Sequence, residues 1–471
     1  MTTLQATVFD NWDKTKTTYN RKTAEQWVKK EPISETAEGL LTWASQHPFL
    51  RVNTNPVPKG IFPEGVDVTL SDIVTSAPKR RRGGKILDDD IYDAFPKIRT
   101  YVPRGCCILH LKSEKESFSK IVVFAMKKFT GGPGDDDDMT KLLEEEEEHG
   151  DATSDVQKER ERWEFYFAKK PEESKYILNT SKENGEAAHL SQFRYDNVQY
   201  YIFGSKNVHL IVKEKQDLKK YTAQRYMTAL MIAEAMKDQI MDASNQNMTK
   251  FLDHLHDHDR NACFEFLNVA YQHVEFFDFE KSKYRFITFC ENQKLTTMCS
   301  NNFEQNLEFA RSCGLETTTS QRFPIEQQDE LFKLIRRGYG KEGSVLYYFD
   351  ESDQCIGMMK KKTAWYVCVR AIREKIRSYS FKCSKGEDSE AKANSVKKRL
   401  KVTIAQKQNW IGFSDQCKQD YINLALPFVD YIKQGLTNKK FNHEQVHEQY
   451  PVVWNKFLKE KKLSDEIDCG V

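Results

Sequence analysis

An α+β fold built on antiparallel sheets is predicted by three features of the chain. From about residue 86, short stretches rich in β-branched and aromatic residues recur: CCILHL, KIVVFAM, QYYIFGS, VHLIV, RFITFC and SVLYYFD. The amphipathic helix QRYMTALMIAEAMKDQIMDA falls among them, without the regular strand–helix alternation of a parallel sheet. After about residue 384 the periodicity turns helical, as in DYINLALPFVDYIKQGL and YPVVWNKFLKEKK.

Taken in order, residues 1–85 form an N-terminal extension. TAEQWVKK and ETAEGLLTWASQ read as short helices, and the Pro- and Gly-rich NTNPVPKGIFPEG reads as a loop. The basic run Lys79, Arg80, Arg81 and Arg82 reads as a solvated linker or, more sharply, as a nucleic-acid or import patch. Residues 86–384 form the α+β domain. Inside it, GGPGDDDD and LLEEEEEHGD mark an acidic insertion at 134–151, either a solvated loop or an electrostatic gate that competes with a polyanion. KGEDSEAKANS reads as a linker into a helical C-terminal accessory domain, 385–471.

Composition narrows the class. The chain has 471 residues, 30% of them charged, with a net charge of +2, so any polyanion site must arise from local clustering of Lys and Arg. No apolar run is long enough to span a bilayer, and the opening MTTLQATVFDNWDKTK has no apolar core. Eleven cysteines, an odd number without C-x-x-C spacing, read as reduced thiols; an intracellular protein, cytoplasmic or nuclear, is expected, without membrane association and as a monomer. The histidines of HLHDHD (His254, His256, His258) sit two apart, where helical ligands would sit three or four apart, and read as a solvated helix end or loop. GYGKEGS, from Gly338, has the wrong spacing for a phosphate-binding loop.

Chemistry-bearing residues occur in an ordered series. Lys182-Glu183-Asn184-Gly185 precedes a strand. Ser205-Lys206 follows YYIFG, and Phe264-Glu265-Phe266 sets a carboxylate between two apolar residues. Glu342-Gly343 opens a strand, and Lys360-Lys361-Lys362-Thr363-Ala364-Trp365-Tyr366 closes the series. Each element alone reads as a surface turn or a solvated strand edge; their number and order make coincidence improbable.

This order resembles the covalent nucleotidyltransferases, which include RNA ligases, DNA ligases and mRNA capping enzymes. It is most similar to the phage-type ATP-dependent RNA ligases, the family of the T-even phage tRNA-repair ligase. Lys182 stands at the nucleophile position, with Asn184 where Asp is commoner, and the Lys360–Tyr366 pattern is the most specific match. Arg104-Gly105 resembles the Arg-Gly upstream of the nucleophile, and Lys127-Lys128-Phe129 a Lys-Phe-Phe-Asn element whose Asn is missing here.

The resemblance implies a nucleotidyltransferase domain of the ATP-grasp-like ligase type. Its activity would be to join 5′-phosphate and 3′-hydroxyl RNA ends with ATP and Mg²⁺ or Mn²⁺, in RNA or tRNA repair. Lys182 would accept AMP, and Lys206, Lys360 and Lys362 would meet the α-phosphate. Arg104 and Lys127 or Lys128 would meet the β- and γ-phosphates, Glu265 the sugar, and Glu342 the metal through water. Glu183, Gly185, Ser205 and Phe266 complete the nucleotide-binding set, and Phe286 or Phe289 is a candidate to stack on adenine. Lys397, Lys398, Arg399, Lys401, Lys439 and Lys440 would contact RNA phosphates. A GTP-dependent capping-type enzyme and a catalytically silent RNA-binding scaffold are the rival readings.

Overall fold

The computed structural model describes residues 26–27, 30–32, 34–76, 88–131, 162–386 and 390–470. The Lys79–Arg82 run, the 134–151 insertion and most of TAEQWVKK lie outside the described residues. The chain divides into two compact units, each assembled from three separate segments: 1–128, 186–266 and 284–317 in the first, 129–185, 267–283 and 318–471 in the second.

The first unit carries two sheets. Strands β1 (Leu50–Pro56), β2 (Asp67–Thr75), β3 (Cys106–Lys112) and β4 (Ser117–Phe124) run as an antiparallel meander in chain order. Residues Asn53–Pro56 therefore belong to a strand, not to the expected loop. Pro56 is the last residue of β1, which lies at the sheet edge, where the missing N–H costs no ladder bond.

The second sheet has the order β11-β10-β7-β8-β9, from β7 (Glu186–Tyr195), β8 (Val198–Ser205), β9 (His209–Val212), β10 (Arg260–Leu267) and β11 (Lys283–Glu291). Asp196 and Asn197, both at positive φ, make the two-residue hairpin turn between β7 and β8. The amphipathic helix forms at Met227–Ile240 and buries Ala229, Ile232, Ala233, Met236 and Ile240 along one stripe.

The second unit holds a five-stranded sheet of order β12-β6-β13-β14-β5: β5 (Thr130–Gly131), β6 (Tyr176–Lys182), β12 (Ser320–Pro324), β13 (Gly343–Phe349) and β14 (Cys355–Lys362). Only β5 joins in parallel. Thr363 then switches the chain from strand to helix. Its hydroxyl caps the helix Ala364–Ser384 by accepting from the Tyr366 N–H at 3.0 Å, satisfying one of the orphan donors of the first turn.

Helices Glu390–Ile411, Asp415–Thr437, His443–Glu448 and Tyr450–Lys461 pack on it around Ile372, Ile376, Tyr421, Phe428 and Trp454. The expected linker is corrected here, because EAKANS is the first turn and a half of the helix Glu390–Ile411. The tail after Lys461 folds back onto this unit. The buried Asp465 carboxylate accepts from Trp454 Nε1 at 2.7 Å, Trp365 Nε1 at 2.9 Å and the Tyr339 hydroxyl at 2.8 Å.

All eleven cysteines are free. Among the described residues no helix is long and apolar enough to cross a membrane.

Candidate active site

In the second unit the ladder itself assembles the central residues. Gly343 pairs with Lys182 on one side and with Lys362 on the other, so the three form one rung across β6, β13 and β14; Val345 likewise pairs with Thr180 and Lys360. Directly opposed residues of an antiparallel pair point to the same face, and so do residues two apart. Lys182, Lys360 and Lys362 therefore share one face of the sheet. Gly343 keeps the middle of the rung open; its φ of 145° suits glycine, and a Cβ there would come within 2.1 Å of the Lys361 carbonyl oxygen.

Glu342 precedes that rung and is 5% exposed. Its Oε1 lies 3.0 Å from Lys182 Nζ, and its Oε2 accepts from Asn184 Nδ2 at 2.6 Å. Burial alone would raise this carboxyl, but the charges of Lys182 and Lys362 and the Asn184 amide hold it below the usual carboxylate range. Asn184 is fully engaged. Its amide also lies 3.3 Å from the Tyr366 hydroxyl, and its oxygen accepts from the Val274 and Glu275 N–H groups at 3.0 and 3.1 Å. One amide thus ties together the Lys182–Gly185 segment, Val274 and Glu275, Glu342 and Tyr366. Lys362 is buried with its Nζ 5.5 Å from the Tyr366 ring centroid, and Arg336 Nη1 donates to the Lys362 carbonyl at 2.8 Å. Glu183 is buried, and Gly185 ends the second unit's segment, the chain entering the first unit at Glu186.

Glu275 had no signal in the sequence beyond its place in VEFFDFE. It accepts from the Glu342 N–H, and burial pushes its carboxyl up to about 8, with the negative charges of Glu342 and Glu183 adding to the rise. The folded protein therefore binds a proton here between about pH 4.5 and 8 that the unfolded chain releases. That contribution to stability is complete below pH 4.5 and is lost as the pH rises through about 8. Glu275→Gln is expected to flatten this decline; thermal melting from pH 5 to 9 checks it, and an unchanged slope in the variant would assign the decline to other groups.

The first unit holds the remaining predicted residues. Lys206 pairs with Asp88 at 2.5 Å and Lys128 with Asp89 at 2.6 Å; the positive charge of Arg104 also acts on Asp88. Lys127 is buried, and burial lowers its ammonium to about 8 against the opposing pull of Glu35. Ser205 ends β8 and is buried, Glu265 is half-buried on β10, and Phe266 is a core residue. Asp88 and Asp89, in the LDDDIYD stretch, are partners that the sequence reading missed.

Neither aromatic candidate for adenine stacking offers surface. Phe286 and Phe289 are both 0% exposed, with ring centroids 4.7 Å apart, and pack on Phe251 in the core. His254 and His256 lie in the last turn of the helix Gln246–Asp257 and His258 caps it; His254 is held against Phe289 and Phe309. Among the described residues, the one grouping with metal-ligating chemistry is instead Asp72, Cys107 and His209, all buried.

A family model described as a domain of unknown function (DUF7920) matches residues 166–373. No curated protein matches the chain. Among solved structures it is similar to one described as "Archaeal ATP-dependent RNA ligase - form 2", with 11% identity, a TM-score of 0.42, and 85% of this chain and 79% of that one covered. It is similar also to form 1 of that archaeal ligase, with 11% identity, a TM-score of 0.41, and coverages of 92% and 82%. Likeness of that degree leaves the family of this chain unassigned.

Proposed function

We propose that the protein is an ATP-dependent RNA ligase of the covalent nucleotidyltransferase class, with Lys182 as the residue that carries AMP. The observation that supports this most is the rung Lys182–Gly343–Lys362 with Glu342 at its end, a convergence of segments far apart in the chain.

The chemistry runs in three displacements. The neutral Lys182 amine attacks the α-phosphorus of ATP; the P–N bond forms, the bond to pyrophosphate breaks, and the amine gives up its proton. A 5′-phosphate oxygen of RNA then attacks the same phosphorus and the P–N bond breaks, returning the amine. Last, a 3′-hydroxyl attacks the RNA 5′-phosphorus, loses its proton and expels AMP.

Lys360 and Lys362 meet charge on the α-phosphate, where losing one such contact costs on the order of 10²–10³ in rate. A carboxylate at 3.0 Å favours the ammonium form of Lys182, so the amine becomes nucleophilic when Glu342 is engaged by another cation. The buried Glu342 carboxylate, with the charge of Glu183 close by, suits a divalent ion; Mg²⁺ or Mn²⁺ held there would supply positive charge against the phosphates. In the first unit, Arg104, Lys127, Lys128, Ser205, Lys206 and Glu265 serve the nucleotide, and RNA is the partner.

Intact mass after mixing with ATP and a divalent ion tests the reading. Wild type is expected to gain one AMP and Lys182→Ala none. An adduct formed only with GTP would favour a capping-type enzyme, and RNA binding without adduct or joining would favour a scaffold.

The Asp88 and Asp89 pairings make a further expectation. Phosphates that engage Lys206 and Lys128 must share or displace these carboxylates. The double variant Asp88→Asn/Asp89→Asn is expected to lower the KM for ATP in adduct formation about threefold to tenfold. Measured at low and high salt, the gain shrinks as salt rises; an unchanged KM would mean that ATP does not use these lysines.

A further inference from the structure

Beneath Arg104 lies a buried chain of polar side chains that the ligase chemistry leaves unused. His209 Nδ1 lies 2.6 Å from Asp72 Oδ1, and the His209 N–H donates to Asp72 Oδ2 at 3.3 Å. His209 Nε2 lies 3.1 Å from His189 Nδ1. His189 in turn hydrogen-bonds backbone acceptors of Arg104 and Ser205, although burial and the neighbouring His209 hold its imidazole well below the usual histidine range, so that the ring is neutral. His189, His209 and Asp72 are all at most 2% exposed.

Asp72 and the carbonyls only accept, so the ring protons of the two imidazoles must serve this chain; two neutral rings carry two of them for its three links. Turning either ring away leaves a buried acceptor without its donor, which is costly. The sheet also leaves the rings no room to turn. A Cβ on Gly105, whose φ is 130°, would come 2.1 Å from His189 Cε1, and one on Gly204 would come 1.9 Å from His209 Cδ2. The glycine of the Arg104-Gly105 element is thus required by the ring packed against it. In the ladder His189 pairs with Gly204 and Gly204 with His209, which sets the two rings side by side under both turns.

We infer that His189, braced by His209 and Asp72, is a positioning residue for the phosphate-binding end of the nucleotide site: it holds the Arg104-Gly105 turn and the Ser205-Lys206 turn at a fixed separation. This rests on the assignment of Arg104 to the β- and γ-phosphates of ATP.

The test compares His189→Leu, which removes both ring nitrogens, with His189→Gln, which keeps a donor and an acceptor. The readouts are the KM for ATP in adduct formation, the rate of joining a pre-adenylylated RNA without ATP, and thermal melting. His189→Leu is expected to raise the KM for ATP about tenfold and to slow the joining of pre-adenylylated RNA by a smaller factor, at most about threefold, because that step keeps the α-phosphate contact of Lys206 but needs none with pyrophosphate. His189→Gln is expected to recover most of the loss. If His189→Leu does not fold, Asp72→Asn, which replaces one of the two acceptors that hold His209, is read in the same way.

An unchanged KM in a folded variant overturns the inference, as does an equal fall of both steps, which would make the network structural only. Stoichiometric metal in the purified protein, bound by Asp72, Cys107 and His209, would overturn it too, since His209 would then be a ligand and not a brace. A wild type that forms no adduct refutes the ligase reading itself and takes the inference with it; wild-type adduct formation with indifferent variants refutes the inference alone.

Discussion

Asn184→Asp is expected to cut the rate of lysyl-AMP formation by about 10²-fold or more, although it changes one atom of the side chain. The oxygen that accepts from the Val274 and Glu275 N–H groups survives the substitution. The donor to Glu342 does not; in its place stands a second carboxylate oxygen where nitrogen and oxygen now lie 2.6 Å apart. Two like charges at ~4 Å repel by about 4 kcal/mol at an effective dielectric of ~20, so one carboxyl must take up a proton or the pair must separate. Either outcome takes from Glu342 the charge or the place with which it would hold the divalent ion of the proposed reaction. Single-turnover adenylylation measures the loss, and melting checks that the variant is folded. A wild-type rate would mean that the Asn184–Glu342 contact is not used in the reaction. With Glu342 in direct hydrogen-bonding contact, an amide is the group that fits at position 184.

Asp465→Ala is expected to lower the melting temperature by roughly 5–15 °C. The indole N–H groups of Trp365 and Trp454 are both buried, and both lose their acceptor. An unpaired buried donor costs about 1–3 kcal/mol, more where the lost partner was charged. Asp465→Asn should be much milder. Its oxygen serves both indoles as Oδ2 does now, and its amide faces the Tyr339 hydroxyl, which accepts as well as donates. Trp365 lies three residues beyond Lys362, so adenylylation should fall with Asp465→Ala more steeply than global stability alone would require. Equal melting of the Ala and Asn variants would show that the three bonds carry no weight.

Much of the candidate site was legible in the sequence because its residues sit in short linear motifs at strand ends. A strand end fixes where a side chain points, and Lys182, Lys206, Glu342 and Lys362 all occupy such ends or the residue beside them. The strands themselves were legible from β-branched and aromatic runs. Glu275, Asp465 and the His189–His209 pair were not, because each acquires its meaning only from a partner in a distant segment. Asn53–Pro56 misled because Pro and Asn read as turn residues, while an edge strand tolerates both. The helix at Glu390 was hidden by its polar first turn, whose stability comes from packing of Ala393 and Leu400 further along. Phe286 and Phe289 looked like nucleotide-facing rings only because alternation alone does not say which face of a strand is the core.

The order of the central sheet also governs how the chain emerges from the ribosome. Strand β6, which ends in Lys182, has β12 and β13 as its two neighbours, and both are synthesised long after it; Ser181 and its partner Thr319 are separated by 138 residues. At ~5–20 residues per second the nascent chain carries that strand, which begins with Tyr176, Ile177 and Leu178, with both edges open for roughly 7–28 s. Translation stalled in this interval would yield fragments prone to self-association through Tyr176–Lys182, a hazard that chaperones must cover during synthesis.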